Sequence, residues 1–167
     1  MTERSHGGWY YQQVSLGFNY RMTEIQAALG LSQMNRLGEF VVQRSTVARR
    51  YNTALSGMPV SCPWQHPDGS SAWHLYVVRL KLDKIKRTHL EVFEEMRAAG
   101  VGVNLHYIPV YLHPYYQSFG FRPGYCPEAE NYYSEAISLP LFPGLSLKEQ
   151  DHVVATLQSA LGGRPSA

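Results

Sequence analysis

Residues 16–30 read LGFNYRMTEIQAALG and join an aromatic, glycine-containing loop to a clearly marked helix start. Thr23 and Gln26 have the spacing of a capping box, in which the threonine oxygen accepts a backbone N–H and the glutamine reaches back to the cap. A loop that ends in such a cap is held in place, so Asn19 and Arg21 are presented to a partner. The residues themselves leave open whether that partner is a ligand or another subunit.

The rest of the chain alternates helices with short strands. Beyond Thr23, apolar residues at helical spacing predict a long helix, or a helix pair with a bend at Gly38, that ends near Ala54. A proline-rich loop is predicted for residues 58–71. The remaining elements predicted are strands at 73–80 and 101–107, helices at 88–99, 113–119, 127–136 and 146–161, and an extended segment at 137–140. This order predicts a small two-layer α/β unit.

Composition narrows the class of protein. The 167 residues are 44% hydrophobic and 17% charged, with a net charge of +2, which is typical of one globular domain and argues against a nucleic-acid partner. No apolar run is long enough to cross a bilayer and no signal peptide is recognisable, so we expect a cytoplasmic protein without a membrane partner. Cys62 and Cys126 lack CxxC spacing and are predicted to be unpaired thiols, a disulfide between them being the alternative. The histidines show no metal-site spacing, so no metal is predicted.

Three segments carry a resemblance to a known family. They are RSHG at 4–7, WYY at 9–11 and LGFNYRMTEIQAALGLSQM at 16–34. These segments are similar to the C-terminal portion of the DegT/DnrJ/EryC1/StrS sugar aminotransferases, which use pyridoxal phosphate, and the likeness extends to about Leu161. Within the family they most resemble the branch that aminates UDP-linked 4-keto-6-deoxy-N-acetylhexosamines on the way to pseudaminic acid.

The resemblance implies a fold and a division of the chain. The fold is the small α/β C-terminal domain of a fold-type I pyridoxal-phosphate transferase, a short sheet backed by helices and preceded by a long connecting helix. Residues 1–22 would be an interface or binding loop from the end of a large lobe, 23–57 the connecting helix or helix pair, 58–163 the α/β domain and 164–167 a tail.

The resemblance also indicates what this chain does not supply. A transaminase of this family needs a lysine that forms a Schiff base with the cofactor. The four lysines here are Lys81, Lys84, Lys86 and Lys148, and none lies in anything similar to the family's lysine loop. We therefore expect no catalytic residue in this chain, no covalent attachment of pyridoxal phosphate to it, and no transamination by it alone. The expected partners are an N-terminal lobe or a second copy in a homodimer, a nucleotide-linked sugar, and glutamate as amino donor.

Two groups of residues are predicted by resemblance to contact ligands. Asn19 matches a family position that reaches across the dimer interface to cofactor phosphate or sugar, and Arg21 is a candidate to hold a pyrophosphate oxygen. The alternatives are that Asn19 hydrogen-bonds its own turn and that Arg21 is a solvated or interface residue.

The second group is Asn104-Leu105-His106-Tyr107, which matches the position that lines the nucleotide-sugar pocket. Along a strand, Asn104 and His106 would share one face while Leu105 and Tyr107 share the other. The alternative is a strand end whose polarity is incidental. Two functions compete in consequence: part of a sugar aminotransferase, or a non-catalytic dimerisation or interaction remnant that binds no cofactor.

Overall fold

The computed structural model describes residues 12, 14–18 and 20–162, and the chain divides into two units, Met1–Leu37 and Gly38–Ala167. The first unit contains helix α1, Glu24–Met34. Its capping box is present as predicted: the Gln26 backbone N–H donates to Thr23 Oγ1 over 3.3 Å, and the Thr23 backbone N–H donates to Gln26 Oε1 over 2.9 Å. No residue of α1 is buried within the described structure.

Helix α2 spans Leu37–Ala54, and the break before it differs from the predicted bend at Gly38. The break lies at Asn35 and Arg36, because the Arg36 N–H turns back to the carbonyl of Gln33 (3.0 Å), which is three residues earlier instead of four. Such a tightened last turn ends an α-helix. Gly38 lies inside α2, whose end at Ala54 matches the prediction.

A three-stranded antiparallel sheet forms the centre of the second unit. Its strands are β1 (Val60–Ser61), β2 (Tyr76–Leu80) and β3 (Ala136–Leu139), in that order across the sheet. Val60 pairs with Leu80, and Val78 pairs with Ile137. All four residues of β3 are buried, so both faces of this strand lie inside the domain.

Four further helices surround the sheet. They are α3 (His89–Ala98), α4 (Pro114–Gln117), α5 (Pro127–Glu135) and α6 (Leu147–Ala160), with short 3-10 turns at Leu82–Lys84 and Val110–Leu112. Capping boxes open α3 at Thr88 and α6 at Ser146, as the sequence predicted. The helix predicted over 127–136 is also confirmed as α5.

The core of this unit is formed by α2, the sheet, α3 and α6. Its fully buried members include Tyr51, Tyr76, Val78, Met96 and Leu157. The rings of Tyr51 and Tyr76 lie 5.0 Å apart, and the two hydroxyl groups donate to the Pro140 carbonyl and to Asn52 Oδ1. Each buried phenol therefore keeps a hydrogen-bond acceptor, as burial of a polar group requires.

Two strand predictions near the centre of the chain need correction. The predicted strand at 73–80 begins only at Tyr76, because Trp73 has a φ of +50°, outside the range of a strand. Strand β1 was not predicted, because it occupies two residues of the proline-rich loop and exists only through its long-range pairing with β2.

The predicted strand from Val101 to Tyr107 is also wrong. The segment makes only an isolated bridge, between Asn104 and Ser138. The Val103 N–H donates to the carbonyl of Val101 over 2.8 Å and so forms a tight turn that interrupts any ladder. The segment therefore lies against β3 as an irregular edge.

Two remaining expectations concern thiols and membranes. Cys62 and Cys126 are free thiols, which confirms the unpaired prediction. Among the described helices, none combines the length and the apolar character that crossing a bilayer requires.

Candidate functional site

The segment 104–107 is fixed to the sheet by backbone bonds. Asn104 and Ser138 form two backbone hydrogen bonds with each other. The Ser138 N–H donates to the Asn104 carbonyl over 2.8 Å, and the Asn104 N–H donates to the Ser138 carbonyl over 3.3 Å. This pairing therefore attaches the predicted site residues to a fully buried strand.

His106 is positioned by the side chain of Ser138. Its Nδ1 lies 2.7 Å from Ser138 Oγ, and Ser138 is only 5% exposed. If the hydroxyl donates to Nδ1, then Nε2 carries the proton and is a donor; if Nδ1 donates, Nε2 is an acceptor. Within the described residues Nε2 has no hydrogen-bond partner, so the half-buried ring keeps one polar atom for a ligand.

The neighbours of His106 differ from the predicted alternation. Tyr107 is 71% exposed, and its ring meets the His106 ring edge to face with centroids 4.6 Å apart. Asn104 Oδ1 accepts the N–H of Leu105 over 2.8 Å, and the Asn104 NH₂ group remains to donate to a ligand. Leu105 is half-buried, and the peptide bond between His106 and Tyr107 is cis. The structure thus keeps the four residues together, with the imidazole, the phenol and the Asn104 NH₂ group as their available polar groups.

The chain that follows the site is held by a second polar cluster. The Tyr111 hydroxyl donates to Glu130 Oε1 and accepts the Cys126 N–H over 3.2 Å. Glu130 Oε1 also accepts the Gly124 N–H over 2.7 Å. Burial, and then the bond to Glu130, raise the pKa of Tyr111. This cluster ties the loop at 110–126 to the start of α5.

The other predicted contact residues belong to the first unit of the chain. Asn19 lies outside the described residues. Arg21 is exposed. Both therefore stay predictions.

Ser138 is the site residue that sequence reasoning missed. It lies in the extended segment 137–140, whose other buried members are apolar, and its partner His106 is 32 residues away. A single hydroxyl inside an apolar strand needs a hydrogen-bond partner, and that requirement was the available signal.

A family model described as DegT/DnrJ/EryC1/StrS aminotransferase matches residues 2–158 of this chain. The chain belongs to that family. Spore coat polysaccharide biosynthesis protein SpsC of Bacillus subtilis is 39% identical over 162 residues, which are 95% of this chain and 42% of SpsC. The chain therefore spans less than half the length of this relative.

Solved structures of aminotransferases confirm the fold class. The PLP-form of the putative sugar aminotransferase Spr1654 from Streptococcus pneumoniae superposes with a TM-score of 0.81 at 28% identity, covering 92% of this chain and 39% of that one. PseC of Helicobacter pylori, an aminotransferase involved in the biosynthesis of pseudoaminic acid, gives 0.78 at 27% identity, covering 95% and 42%. The small α/β domain with a short helix-backed sheet is thus shared with these two aminotransferases.

The residues of this family member do not form a pyridoxal-phosphate site by themselves. Lys84, Lys86 and Lys148 are exposed and Lys81 is half-buried, and no Nζ has a hydrogen bond or ion pair within the described part of the chain. All three aspartates are exposed as well. The cofactor needs an enclosed lysine and a carboxylate at its pyridine nitrogen, and no lysine in the described part of the chain is enclosed.

Proposed function

We propose that this chain is the sugar-binding part of a pyridoxal-phosphate-dependent aminotransferase that acts on a nucleotide-linked 4-keto-6-deoxy sugar. As part of this proposal, the chain belongs to the branch of UDP-4-amino-4,6-dideoxy-N-acetyl-altrosamine transaminase, in the pseudaminic acid pathway. Family membership supports the reaction class, and the similarity to PseC supports the branch. The observation that carries the proposal is the His106 ring, which is fixed by Ser138 with Nε2 left for a ligand.

In this proposal the segment 104–107 contacts the sugar. His106 Nε2 reads a hydroxyl or phosphate oxygen, the exposed Tyr107 supplies a flat ring with a phenol at its tip, and the Asn104 NH₂ group donates a further hydrogen bond. Leu105 supplies the apolar side of the same pocket. Aromatic and apolar walls with a few placed polar groups are typical of small-molecule sites.

The other parts of the complete enzyme come from outside this domain. Its N-terminal lobe would hold pyridoxal phosphate and the lysine, and a homodimer would bring residues 1–22 of one subunit, with Asn19 and Arg21, to the cofactor or sugar of the other. Residues 23–57 would then connect the lobes ahead of the domain at 58–163, with 164–167 as a tail. Glutamate is the proposed amino donor and the cytoplasm the proposed compartment.

The competing function is a dimerisation or interaction remnant that binds no cofactor. Its support is that helix α1 buries none of its residues in the described structure, as expected of a helix whose role is to meet another protein.

Reconstitution tests the two functions against each other. The chain would be joined to the part of SpsC that lies outside the matched 162 residues, supplied with pyridoxal phosphate, and assayed for glutamate-dependent amination of a UDP-linked 4-keto-6-deoxy sugar. The enzyme proposal predicts the visible absorbance of lysine-bound cofactor together with sugar-dependent turnover. A folded hybrid that binds the cofactor and yet shows no turnover with any nucleotide-linked keto sugar would favour the remnant.

Within that hybrid, His106→Ala should lower kcat/KM for the sugar by about tenfold, because one polar contact is lost. His113→Ala is the matched control, since His113 is an exposed histidine a few residues further along the chain. Equal kcat/KM values for the two variants would remove His106 from the site.

A further inference from the structure

A second cleft, of about 420 Å³, lies between α2 and the loop at 62–73. It shares no lining residue with the segment 104–107. Its lining includes Ser45, Arg49, Asn52, Trp64, Gln65 and Ser71. This cleft, called the Trp64 cleft below, combines an exposed indole with amide, hydroxyl and guanidinium groups.

Trp64 provides an open aromatic wall. It is 80% exposed, and its ring meets the His66 ring edge to face with centroids 5.7 Å apart. An exposed tryptophan at the edge of a polar cleft is unusual, because the large indole normally buries most of its surface. A flat apolar face of this kind fits the C–H face of a pyranose ring, while the polar groups of the cleft meet the hydroxyls.

The loop that forms one wall is held by hydrogen bonds at Trp73. Trp73 has a φ of +50°, which is uncommon for a large non-glycine residue. Its N–H donates to Ser71 Oγ over 3.0 Å, and its carbonyl accepts from the guanidinium of Arg44 over 3.3 Å. Residues that are held in such an uncommon backbone conformation by their surroundings are often found at binding sites.

Most of the polar groups of the cleft that remain available to a ligand are hydrogen-bond donors. Arg49 donates one N–H to Thr46 Oγ1 over 3.1 Å, which leaves further N–H groups of its exposed guanidinium. Asn52 Oδ1 accepts the Tyr76 hydroxyl, so its NH₂ group remains. The Gln65 NH₂ group donates to the Gly69 carbonyl, so its oxygen can accept from a ligand hydroxyl. The lining contains a guanidinium and no carboxylate, a balance that favours an anion.

We propose that the Trp64 cleft binds an acidic saccharide, with the sugar ring on Trp64 and its carboxylate on Arg49. The Asn52 NH₂ group and the Gln65 oxygen would hold ring hydroxyls. This site is additional to the sugar contacts of the segment 104–107, and it does not depend on the aminotransferase function proposed above.

The test uses the full chain with three probes: D-glucuronic acid, D-glucose and acetate. Binding is followed by saturation-transfer NMR and by tryptophan fluorescence. We expect glucuronate to bind at least tenfold more tightly than either glucose or acetate, because only glucuronate combines the ring with the charge. Arg49→Gln should lower the affinity for glucuronate about tenfold and leave that for glucose unchanged. Trp64→Ala should weaken the binding of both glucuronate and glucose.

The matched controls are Arg122→Gln, at an exposed cation, and Tyr115→Ala, at an exposed aromatic residue. Both residues lie outside the cleft, so neither variant should change the affinity for glucuronate or glucose. If Trp64→Ala loses the native circular dichroism spectrum, Trp64→Phe replaces it and should retain part of the affinity. Equal binding of acetate and glucuronate would reduce the cleft to an anion site and overturn the proposal. Equal binding of glucose and glucuronate, no binding of glucuronate, or binding unaffected by Arg49→Gln would overturn it as well.

Discussion

The hydrogen bond between Ser138 and His106 connects the buried sheet to the candidate sugar pocket. Replacing Ser138 with alanine removes the partner of Nδ1 and leaves the half-buried ring without its fixed orientation. We expect Ser138→Ala to lower the free energy of unfolding by about 1 kcal/mol, the usual value of one such bond. Urea denaturation measures that loss, and the imidazole nitrogen shifts of His106 report the change of orientation.

Ser134→Ala is the control for this prediction. Ser134 is an exposed serine of α5 whose hydroxyl donates to the Asn131 carbonyl of the same helix. Its replacement should leave the His106 shifts in place. A Ser138→Ala protein with unchanged His106 shifts would show that the hydroxyl does not orient the ring.

The candidate site shows which parts of a site can be read from a linear sequence. Asn104 to Tyr107 are contiguous, so a motif identifies them together. Ser138 meets His106 only after β3 has paired with the segment, and no local pattern encodes that pairing. The Leu105 N–H donates to Asn104 Oδ1. This bond likewise depends on the irregular backbone that replaces the predicted strand.

Among the secondary-structure elements, the three capping boxes offer a direct comparison. They open α1 at Thr23, α3 at Thr88 and α6 at Ser146. Helix α6 buries five residues and α3 two, whereas α1 buries none. Loss of a cap affects global stability only where the helix is coupled to the core.

We therefore expect Ser146→Ala and Thr88→Ala each to lower the free energy of unfolding by about 0.5–2 kcal/mol. Thr23→Ala, the same motif on a helix without buried residues, should leave the urea midpoint unchanged and reduce only the local amide protection of α1. Amide exchange and urea denaturation separate these effects. An equal loss of stability in all three variants would contradict the coupling argument.

The same elements show why some of the fold could be predicted and some could not. Capping boxes and α5 are local: their signals are a few residues apart, and the sequence locates them well. Strand β1 depends on pairing with β2, which lies about twenty residues further along the chain. The break at Asn35 depends on turn hydrogen bonds rather than on the nearby Gly38. Long-range pairing and turn geometry therefore account for the errors.

For the second unit as a folded body, the two core tyrosines govern stability at alkaline pH. Burial raises the pKa of Tyr51, and the nearby positive charge of Arg50 lowers it by a smaller amount. Burial likewise raises the pKa of Tyr76. The folded protein keeps protons that the unfolded chain releases above the ordinary value of 10.0. The stability from these groups is therefore fully present below pH 10.0 and is lost as pH rises toward their folded-state pKa values.

We expect the free energy of unfolding to fall above that pH by up to about 1.4 kcal/mol per pH unit for each tyrosine. Tyr51→Phe should remove one tyrosine's share of this slope, although it also loses the hydrogen bond to Pro140 and so starts from a lower stability. Tyr115→Phe, at an exposed tyrosine, should keep the full slope. Urea denaturation at a series of alkaline pH values measures the slopes, and identical slopes for all three proteins would contradict the assignment.

The apolar side chains that α1 leaves exposed predict association of the chain in solution. Ile25 is 83% exposed and Leu29, one turn later on the same helix face, is 62% exposed. Exposed apolar surface of this kind favours association. We expect sedimentation velocity to show association that increases with protein concentration, and the double variant Ile25→Gln/Leu29→Gln to suppress it while glutamine preserves the helix. Leu90→Gln, at an exposed leucine of α3, is the matched control and should associate like the original chain. If the double variant sediments as the original does, the association surface lies elsewhere than α1.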